Sequence, residues 1–369
     1  MLREHPTPPA DAADPTPSAD AADPTPEAAA TRLLQVMNDG ALALLVALGH
    51  DTGLFRTLGN LPPSTSAQLA DAAGLNERYV REWLAGVVGG GLLCYDPTAR
   101  TYRLPAAAAA MLTGSGADNV ARSMSMLADL TGVLPRILEC FRTGGGTSYR
   151  DYPRFHAAMA EESAAVHDVA LIPGILPISG LTEALESGIA VADIGCGQGH
   201  AVNLIARRYP RSQVTGYDFL PEPLETARAE AARLGLTNAE FVCRDVAGLA
   251  EEGRFDLVTA FDAIHDQTRP AEVLTQIRRS LRPGGVFLMV DFQASSYLEE
   301  NTGLPWAAYL YTVSLLHCMA VSLGQGGTGL GTGWGIETAT GMLGEAGFGQ
   351  VEATTLDADP FNVYFRAQV

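Results

Sequence analysis

The sequence predicts an α/β protein in which a mostly helical, winged-helix region precedes a mostly parallel sheet covered by helices. Three observations predict it. Up to about residue 105, two helical stretches joined by a turn run into a short hairpin pattern. From 106 to 180 helical patterns dominate. After Gly188 short β-rich runs alternate with helical stretches, as strands and crossover helices do in a parallel sheet. The chain has 369 residues, 47% hydrophobic and 18% charged. A wholly disordered chain or a disulfide scaffold is thereby excluded, and the length suits two to three domains. Forty-two acidic against 24 basic residues leave a net charge of −18. That balance repels phosphate backbones and anionic headgroups, so neither nucleic acid nor a membrane is expected as a partner. The five cysteines (Cys94, Cys140, Cys196, Cys243, Cys318) form no CxxC pair and read as reduced thiols of a cytoplasmic protein.

Residues 1–27 repeat ADAADPTP at 10–17 and 19–26. Such a segment buries too little apolar surface to offset its chain entropy, so a disordered tail is expected. Residues 28–105 form the next unit. From Ala28 to Leu58 apolar residues crowd a helical pattern on more than one side, which predicts a helix covered by a second copy and hence a homodimer. Ser64, Thr65 and Ser66 offer caps for a helix that stops at Gly74, and Asn76 opens a second helix that ends in Gly89–Gly91. Leu92–Tyr95 and Thr101–Leu104 flank Asp96-Pro97 as a hairpin. On the second helix Glu77, Arg78, Arg81 and Glu82 cancel in charge, so scaffolding is favoured over DNA binding. Residues 106–180 are expected to be a helical linker that lines a substrate pocket, with Tyr149, Tyr152 and His156 among its aromatic groups. The strands expected after them are Ile189–Ile194, Gln213–Asp218, Glu240–Cys243, Phe255–Phe261 and Val286–Asp291. A closing hairpin of Val351–Leu356 and Phe361–Arg366 makes seven.

The first of these strands ends in Asp193-Ile194-Gly195-Cys196-Gly197-Gln198-Gly199. Glycines let the backbone approach a ligand, and the following helix presents free N–H groups to it. The spacing is GxGxG, not the dinucleotide GxGxxG, and no P-loop lysine follows. Asp218, at the carboxyl end of the second strand, is placed to accept both ribose hydroxyls, and Asp245 is placed to take an adenine amine. Phe255-Asp256-Leu257-Val258 and Leu281-Arg282-Pro283-Gly284-Gly285 complete five motifs in order. Together they resemble the class I S-adenosylmethionine-dependent methyltransferases over about Gly188 to the terminus. The resemblance implies a Rossmann-like seven-stranded domain, here 181–369, that binds S-adenosylmethionine. It implies Asp193, Gly195 and Gly197 at the methionine end, Asp218 at the ribose, Asp245 and Val246 at the adenine, and Phe261 at the methyl end. A glycine-lined acidic mouth suits a sulfonium cation better than a pyrophosphate.

Strand four runs into Phe261-Asp262-Ala263-Ile264-His265-Asp266, where the methyl group should emerge. His317 lies within Asn301–Ile336, a stretch without Asp, Glu, Lys or Arg, so a partner for its ring must come from elsewhere. Two imidazoles with a carboxylate suit a divalent metal, although the 52-residue separation is not diagnostic. The pattern is similar to winged-helix methyltransferases that C-methylate α-keto acids in actinomycete antibiotic pathways. That resemblance implies His265 and His317 as ligands of zinc or iron, with Asp266 either a third ligand or an outer group that orients them. It implies methylation of the β-carbon of a small 2-oxo acid through a metal-stabilised enolate, and the uncharged stretch implies an apolar acceptor. Two other readings stay open: a metal-free O-methyltransferase with His265 as general base, and a DNA-binding regulator without catalysis. Gly324–Gly335 reads as a lid that brings Trp334 to the pocket or as a plain connector. His200 reads as solvent-exposed, and His167 has no supporting constellation.

Overall fold

The computed structural model describes residues 23–114, 116, 118–356 and 359–369, so the tail expected at 1–27 lies largely outside the described residues. Its carboxyl boundary moves back by two residues. Thr25 accepts from the Ala28 N–H and caps a helix of residues Pro26–Asp51, with proline at the first position, where no N–H is needed. A second helix covers Leu54–Gly59. Thr65 and Gln68 form a reciprocal capping box for the helix Ser66–Ala73, which stops at a left-handed Gly74. Asn76 caps the helix Glu77–Gly89. Strands β1 (Cys94–Asp96) and β2 (Thr101–Arg103) pair antiparallel as the wing. Val46, Phe55, Leu58, Leu69, Trp83 and Leu84 form the core of this unit, and Trp83 Nε1 donates to the Leu45 carbonyl at 2.8 Å. On the second helix of the winged-helix pair, Arg78 is paired with Glu82, and Arg81 lies 3.6 Å from Glu77. Each arginine has a carboxylate one helical turn away, so this face of the helix is balanced in charge.

The large sheet contains β3 (Ala190–Ile194), β4 (Gln213–Asp218), β5 (Ala239–Cys243), β6 (Phe255–Phe261), β7 (Leu281–Phe292), β8 (Gln350–Leu356) and β9 (Asp359–Gln368), in the order β5-β4-β3-β6-β7-β9-β8. β3 to β7 are parallel, whereas β9 pairs antiparallel with β7 and β8 with β9. Alternate residues serve opposite faces. Val191, Leu257 and Leu288 pack under the helices His200–Arg208 and Pro221–Arg233, while Ala192, Val258 and Met289 pack under Pro270–Ser280 and Gly335–Glu345. Both faces are covered, so the inner strands read as nearly continuous apolar runs. β7 begins earlier than the sequence pattern indicates, with a register break that passes the Arg282-Pro283-Gly284-Gly285 turn.

The chain between β7 and the helix Gly335–Glu345 folds back onto the helical region. Its Val313, Leu316 and Val321 share a core with Met126, Leu130, Ile137 and Phe155. This stretch is α-helical at Ala307–Val313 and Met319–Gly324 and π-helical at Ser314–Cys318. Among the described residues two helices, Pro26–Asp51 and Ala307–Gly324, are long and apolar enough to cross a membrane by length and composition, and the second is half-buried in protein. The glycine-rich stretch after it is a packed connector. A Cβ on Gly331 would lie 2.1 Å from Ser314 Oγ, and one on Gly335 would lie 2.0 Å from the Ser296 nitrogen. Of the two readings of this stretch, lid and connector, the packing of these glycines favours the connector.

Candidate active site

The carboxyl ends of β3, β4 and β6 open into a cavity of about 740 Å³. All seven residues expected to bind the cofactor line it: Asp193, Gly195, Gly197, Asp218, Asp245, Val246 and Phe261. Sequence order explains why, since each is at or just past the end of a parallel strand, where ligands of such sheets bind. The glycine turn is held by two N–H groups, of Gly195 and Cys196, that donate to the Tyr217 carbonyl at 2.8 and 3.0 Å. Gly195 has φ +70°, and a Cβ there would meet Ala263 Cβ at 2.6 Å. Gly199 caps the helix His200–Arg208 in the left-handed conformation, with Phe241 and Ala227 where a side chain would stand. Only glycine closes this turn without moving its neighbours.

The carboxylates differ in state. Asp193 is buried and accepts from Thr259 Oγ1 at 2.6 Å, and burial pushes it up to about 7. Asp218 is also raised by burial, against the N–H groups of Leu220 and Gly197 that donate to it at 2.9 Å. Asp245, on the cavity wall, accepts from the Ala247 N–H at 2.9 Å with one oxygen and from Arg269 at 3.0 Å with the other, and like Asp218 keeps further lone pairs.

At the acceptor end, His265 is buried and its Nδ1 bonds Asp291 Oδ1 at 2.8 Å, while Nε2 lies 3.3 Å from Asp266 Oδ1. Burial opposes a charged ring, but Asp291 and Asp266 outweigh it and hold the imidazole well above its usual range. Asp262, left-handed at φ +49°, is pinned by its N–H to the Val290 carbonyl, and burial beside Asp291 pushes its carboxyl to about 8. His317 is buried on the cavity wall, lowered to about 4 by burial, with Phe155, Tyr152, His156 and Tyr149 around its ring. Among the described residues, eight buried side-chain N or O atoms have no partner, and five belong to this end. They are His156 Nε2, Asp262 Oδ1, Asp291 Oδ2, His317 Nε2 and Asp266 Oδ1, the last with an ion-pair contact to His265 Nε2 but no hydrogen bond. Concentrating unpartnered acceptors costs stability unless a ligand or cation completes them.

Two expectations, for Tyr152 and Trp334, need correction, and the ligand set gains an alternative member. The grouping whose donor atoms all lie within 4.8 Å of one another is His265, Asp266 and Cys318. His317 is beside it, with Nδ1 3.5 Å from Cys318 Sγ, rather than in it. Tyr152 does not line the cavity. Its hydroxyl donates to the Leu316 carbonyl at 2.6 Å and meets Thr147 Oγ1 at 2.7 Å, which fixes the His317 segment from behind. Trp334 is buried in the core beneath the sheet with Ala339 and Leu343, because the packed connector turns it away from the cavity. Trp334→Ala is therefore expected to cost about 3–5 kcal/mol of stability in urea unfolding while leaving cofactor affinity unchanged. Tyr149 does line the cavity.

Sequence reasoning missed Asp291, Cys318 and Asp262, and found no constellation for His167. The rule that selected Asp218, a carboxylate at the carboxyl end of a strand, also selects Asp291. His167 lies in a second π-helical stretch, His167–Ile175, lines the cavity and meets the Phe261 ring edge-on at 4.6 Å. His200 is held by Asp168 at 2.8 Å at the cavity rim.

Residues 40–114 match the Rv2258c-like winged HTH domain, and residues 185–314 match a methyltransferase domain family. Trans-aconitate 2-methyltransferase of Azoarcus sp. is 31% identical over 131 residues, 34% of this chain and 49% of that protein. Ubiquinone biosynthesis O-methyltransferase of Acinetobacter baylyi is 32% identical over 128 residues, 34% of this chain and 53% of that protein. The chain thus spans about half the length of the curated relatives it matches. The fold extends further. An O-methyltransferase family protein from Burkholderia thailandensis superposes with TM-score 0.67 at 19% identity, covering 92% of this chain and 97% of that one. Human N-acetylserotonin methyltransferase, solved with S-adenosylmethionine, gives TM-score 0.67 at 17% identity over 94% and 99%. Mitomycin 7-O-methyltransferase gives TM-score 0.67 at 19% identity over 93% and 98%. With a winged helix before a seven-stranded sheet and a glycine-cradled cavity at its carboxyl edge, the chain carries a winged HTH domain at 40–114 and a methyltransferase domain at 185–314, in the fold these methyltransferase structures share.

Proposed function

We propose that this protein methylates the β-carbon of a small apolar 2-oxo acid, with S-adenosylmethionine as donor and a divalent cation at the acceptor end. The observation that carries this reading is the concentration of unpartnered buried acceptors around His265, Asp266 and Cys318. Two carboxylates, Asp266 and Asp291, together with the buried carboxyl of Asp262, surround one imidazole there. Such a site accommodates a further positive charge and, without one, repels an anionic acceptor.

The residues fit both groups. S-adenosylmethionine supplies an electrophilic methyl on a sulfonium. Asp218 has lone pairs left for ribose hydroxyls, and the Gly195 turn lets backbone approach the methionine end. Asp193 and the other acidic groups favour the sulfonium charge. A divalent cation, zinc or iron, would be held by His265 and Asp266 with Cys318 or His317, and would supply the Lewis acidity that loosens hydrogens on the carbon next to the keto group. Asp291 orients the His265 ring through Nδ1, as outer carboxylates do for ligating imidazoles. Tyr149 and Phe219, 5.4 Å apart, wall the cavity with aromatic surface for an apolar side chain.

A second reading has its own observation. The His265 Nδ1 to Asp291 bond is also what a general-base imidazole needs, and it favours O-methylation of a hydroxyl. Elemental analysis of the purified protein, followed by methyl transfer from labelled donor to 2-oxo acids and phenols before and after chelation, separates the two. The first reading expects about one equivalent of metal and chelator-sensitive transfer to a 2-oxo acid. Chelator-resistant transfer to a phenol establishes the second.

The protein acts as a homodimer in this reading, in the cytoplasm, where its five free thiols stay reduced. Leu33, Leu34 and Met37 are each more than 60% exposed on the helix Pro26–Asp51. An uncovered helical arm of this kind is marginal in water, and a second copy covers it. Leu34→Glu with Met37→Glu is expected to halve the sedimenting mass in analytical ultracentrifugation. Retention of the wild-type dimer mass would place the interface elsewhere.

A further inference from the structure

His156 is in none of the ligand or cofactor sets above, yet its surroundings are those of a ligand-binding group. It is delivered by the helical region, on the helix Phe155–Val166, and lines the cavity. Its Nε2 is buried without a partner. An imidazole that only packs turns its polar edge to a carbonyl or hydroxyl, as the neighbouring Tyr152 does with Leu316 and Thr147. His156 does not. Its ring lies 5.0 Å from Tyr149 and 5.8 Å from His317, nearly perpendicular to the latter at 73°. His156 lines the same cavity as Asp218, Phe261 and Asp266, and its ring contacts place it beside Tyr149 and His317.

We propose that His156 is a specificity-determining residue of the acceptor site, whose Nε2 hydrogen-bonds an oxygen of the acceptor close to the atom that is methylated. The proposal rests on the reading of this cavity as a joint donor and acceptor site. The class of ligand follows from the neighbours. Tyr149 and Phe219 provide an apolar bed, so the acceptor has an aromatic or branched apolar body with an oxygen substituent at one end. Leaving a buried polar atom unmatched costs about 1–3 kcal/mol, and binding of the right acceptor relieves that cost. An acceptor without the oxygen leaves it in place, which is how such a group discriminates.

The test titrates phenylpyruvate, and separately catechol, into the full-length protein saturated with S-adenosylhomocysteine, using calorimetry. Wild type, His156→Ala, His156→Phe and His156→Gln are compared, the phenylalanine variant keeping the ring volume without its nitrogen. The expected result is a loss of about 10-fold or more in probe affinity for the alanine and phenylalanine variants. Glutamine should recover most of it, and affinity for S-adenosylhomocysteine should be unchanged in all three. In turnover the loss should appear in KM more than in kcat. Equal probe affinity in wild type and His156→Phe overturns the proposal, as does a parallel loss of S-adenosylhomocysteine binding. If catechol binds and phenylpyruvate does not, the 2-oxo acid reading falls, and the role of His156 is decided on catechol.

Discussion

Replacing His265 by alanine is expected to lower turnover by about 10²–10⁴-fold while leaving S-adenosylhomocysteine binding within a few-fold of wild type. The ring is fully buried with a carboxylate at each nitrogen, Asp291 at 2.8 Å and Asp266 at 3.3 Å. Its removal takes away the imidazole on which both readings of the chemistry depend. The donor half of the cavity is built from other strand ends and should survive. Asp291→Asn should act in the same direction with a smaller effect, because it disturbs the orientation of the ring without deleting it. Steady-state methyl transfer beside calorimetric titration of S-adenosylhomocysteine checks both. Loss of donor binding in step with turnover would show that the variant had collapsed the site. Removing a buried partner from opposed carboxylates costs about 3–5 kcal/mol in the worst case, so urea unfolding of each variant belongs with the measurement.

Gly195→Val is expected to abolish donor binding, with affinity for S-adenosylhomocysteine falling by about 100-fold or more. The position has φ +70°, and the added carbon would stand 2.6 Å from Ala263 Cβ. A β-branched residue is disfavoured in that conformation by about 1–2 kcal/mol before any clash is counted. The clash is with a short, packed side chain that has no room to retreat. The turn must move, and its N–H bonds to Tyr217, together with the Gly197 N–H to Asp218, move with it. Gly197 provides the comparison, because a Cβ added there would meet nothing within 4 Å. At φ +50° a substitution at Gly197 carries backbone strain without the clash and should be the milder of the two. Equal donor affinity in wild type and Gly195→Val would mean that the glycine turn is not the cradle.

The sheet was legible because its signals are local. Alternate residues of β3, β6 and β7 serve the two faces, and the caps at Thr65, Asn76 and Gly74 are read within four residues of their helices. The donor half was legible for a related reason: its residues sit at strand ends, and strand ends in a parallel sheet converge. The acceptor half was legible only in part. Asp291 pairs with His265 across 26 residues, a contact that no local pattern reports. His317 and Cys318 are neighbours in the π-helical stretch Ser314–Cys318, which carries more residues per turn than an α-helix, so α-helical periodicity does not give the face each presents. Helical periodicity taken from the sequence assumes about 100° per residue and misses this. Tyr152 and His156 lie four residues apart in one aromatic run, yet one braces the His317 segment and the other faces the cavity. Residue type alone gives no direction. Trp334 was placed at the pocket because glycines suggest a loose loop, whereas here they allow close packing against Ser296, Ser314 and Thr147.

The central claim is that the acidic end of the cavity, when loaded with a cation, activates a carbon next to a keto group beside the methyl donor. It is tested most directly by following the C3 protons of 4-methyl-2-oxopentanoate in D₂O by NMR, with the protein and S-adenosylhomocysteine present. The account predicts exchange faster than in the protein-free control, abolished by a chelator and by His265→Ala. Exchange no faster than the control from metal-loaded protein that binds the acid would contradict it.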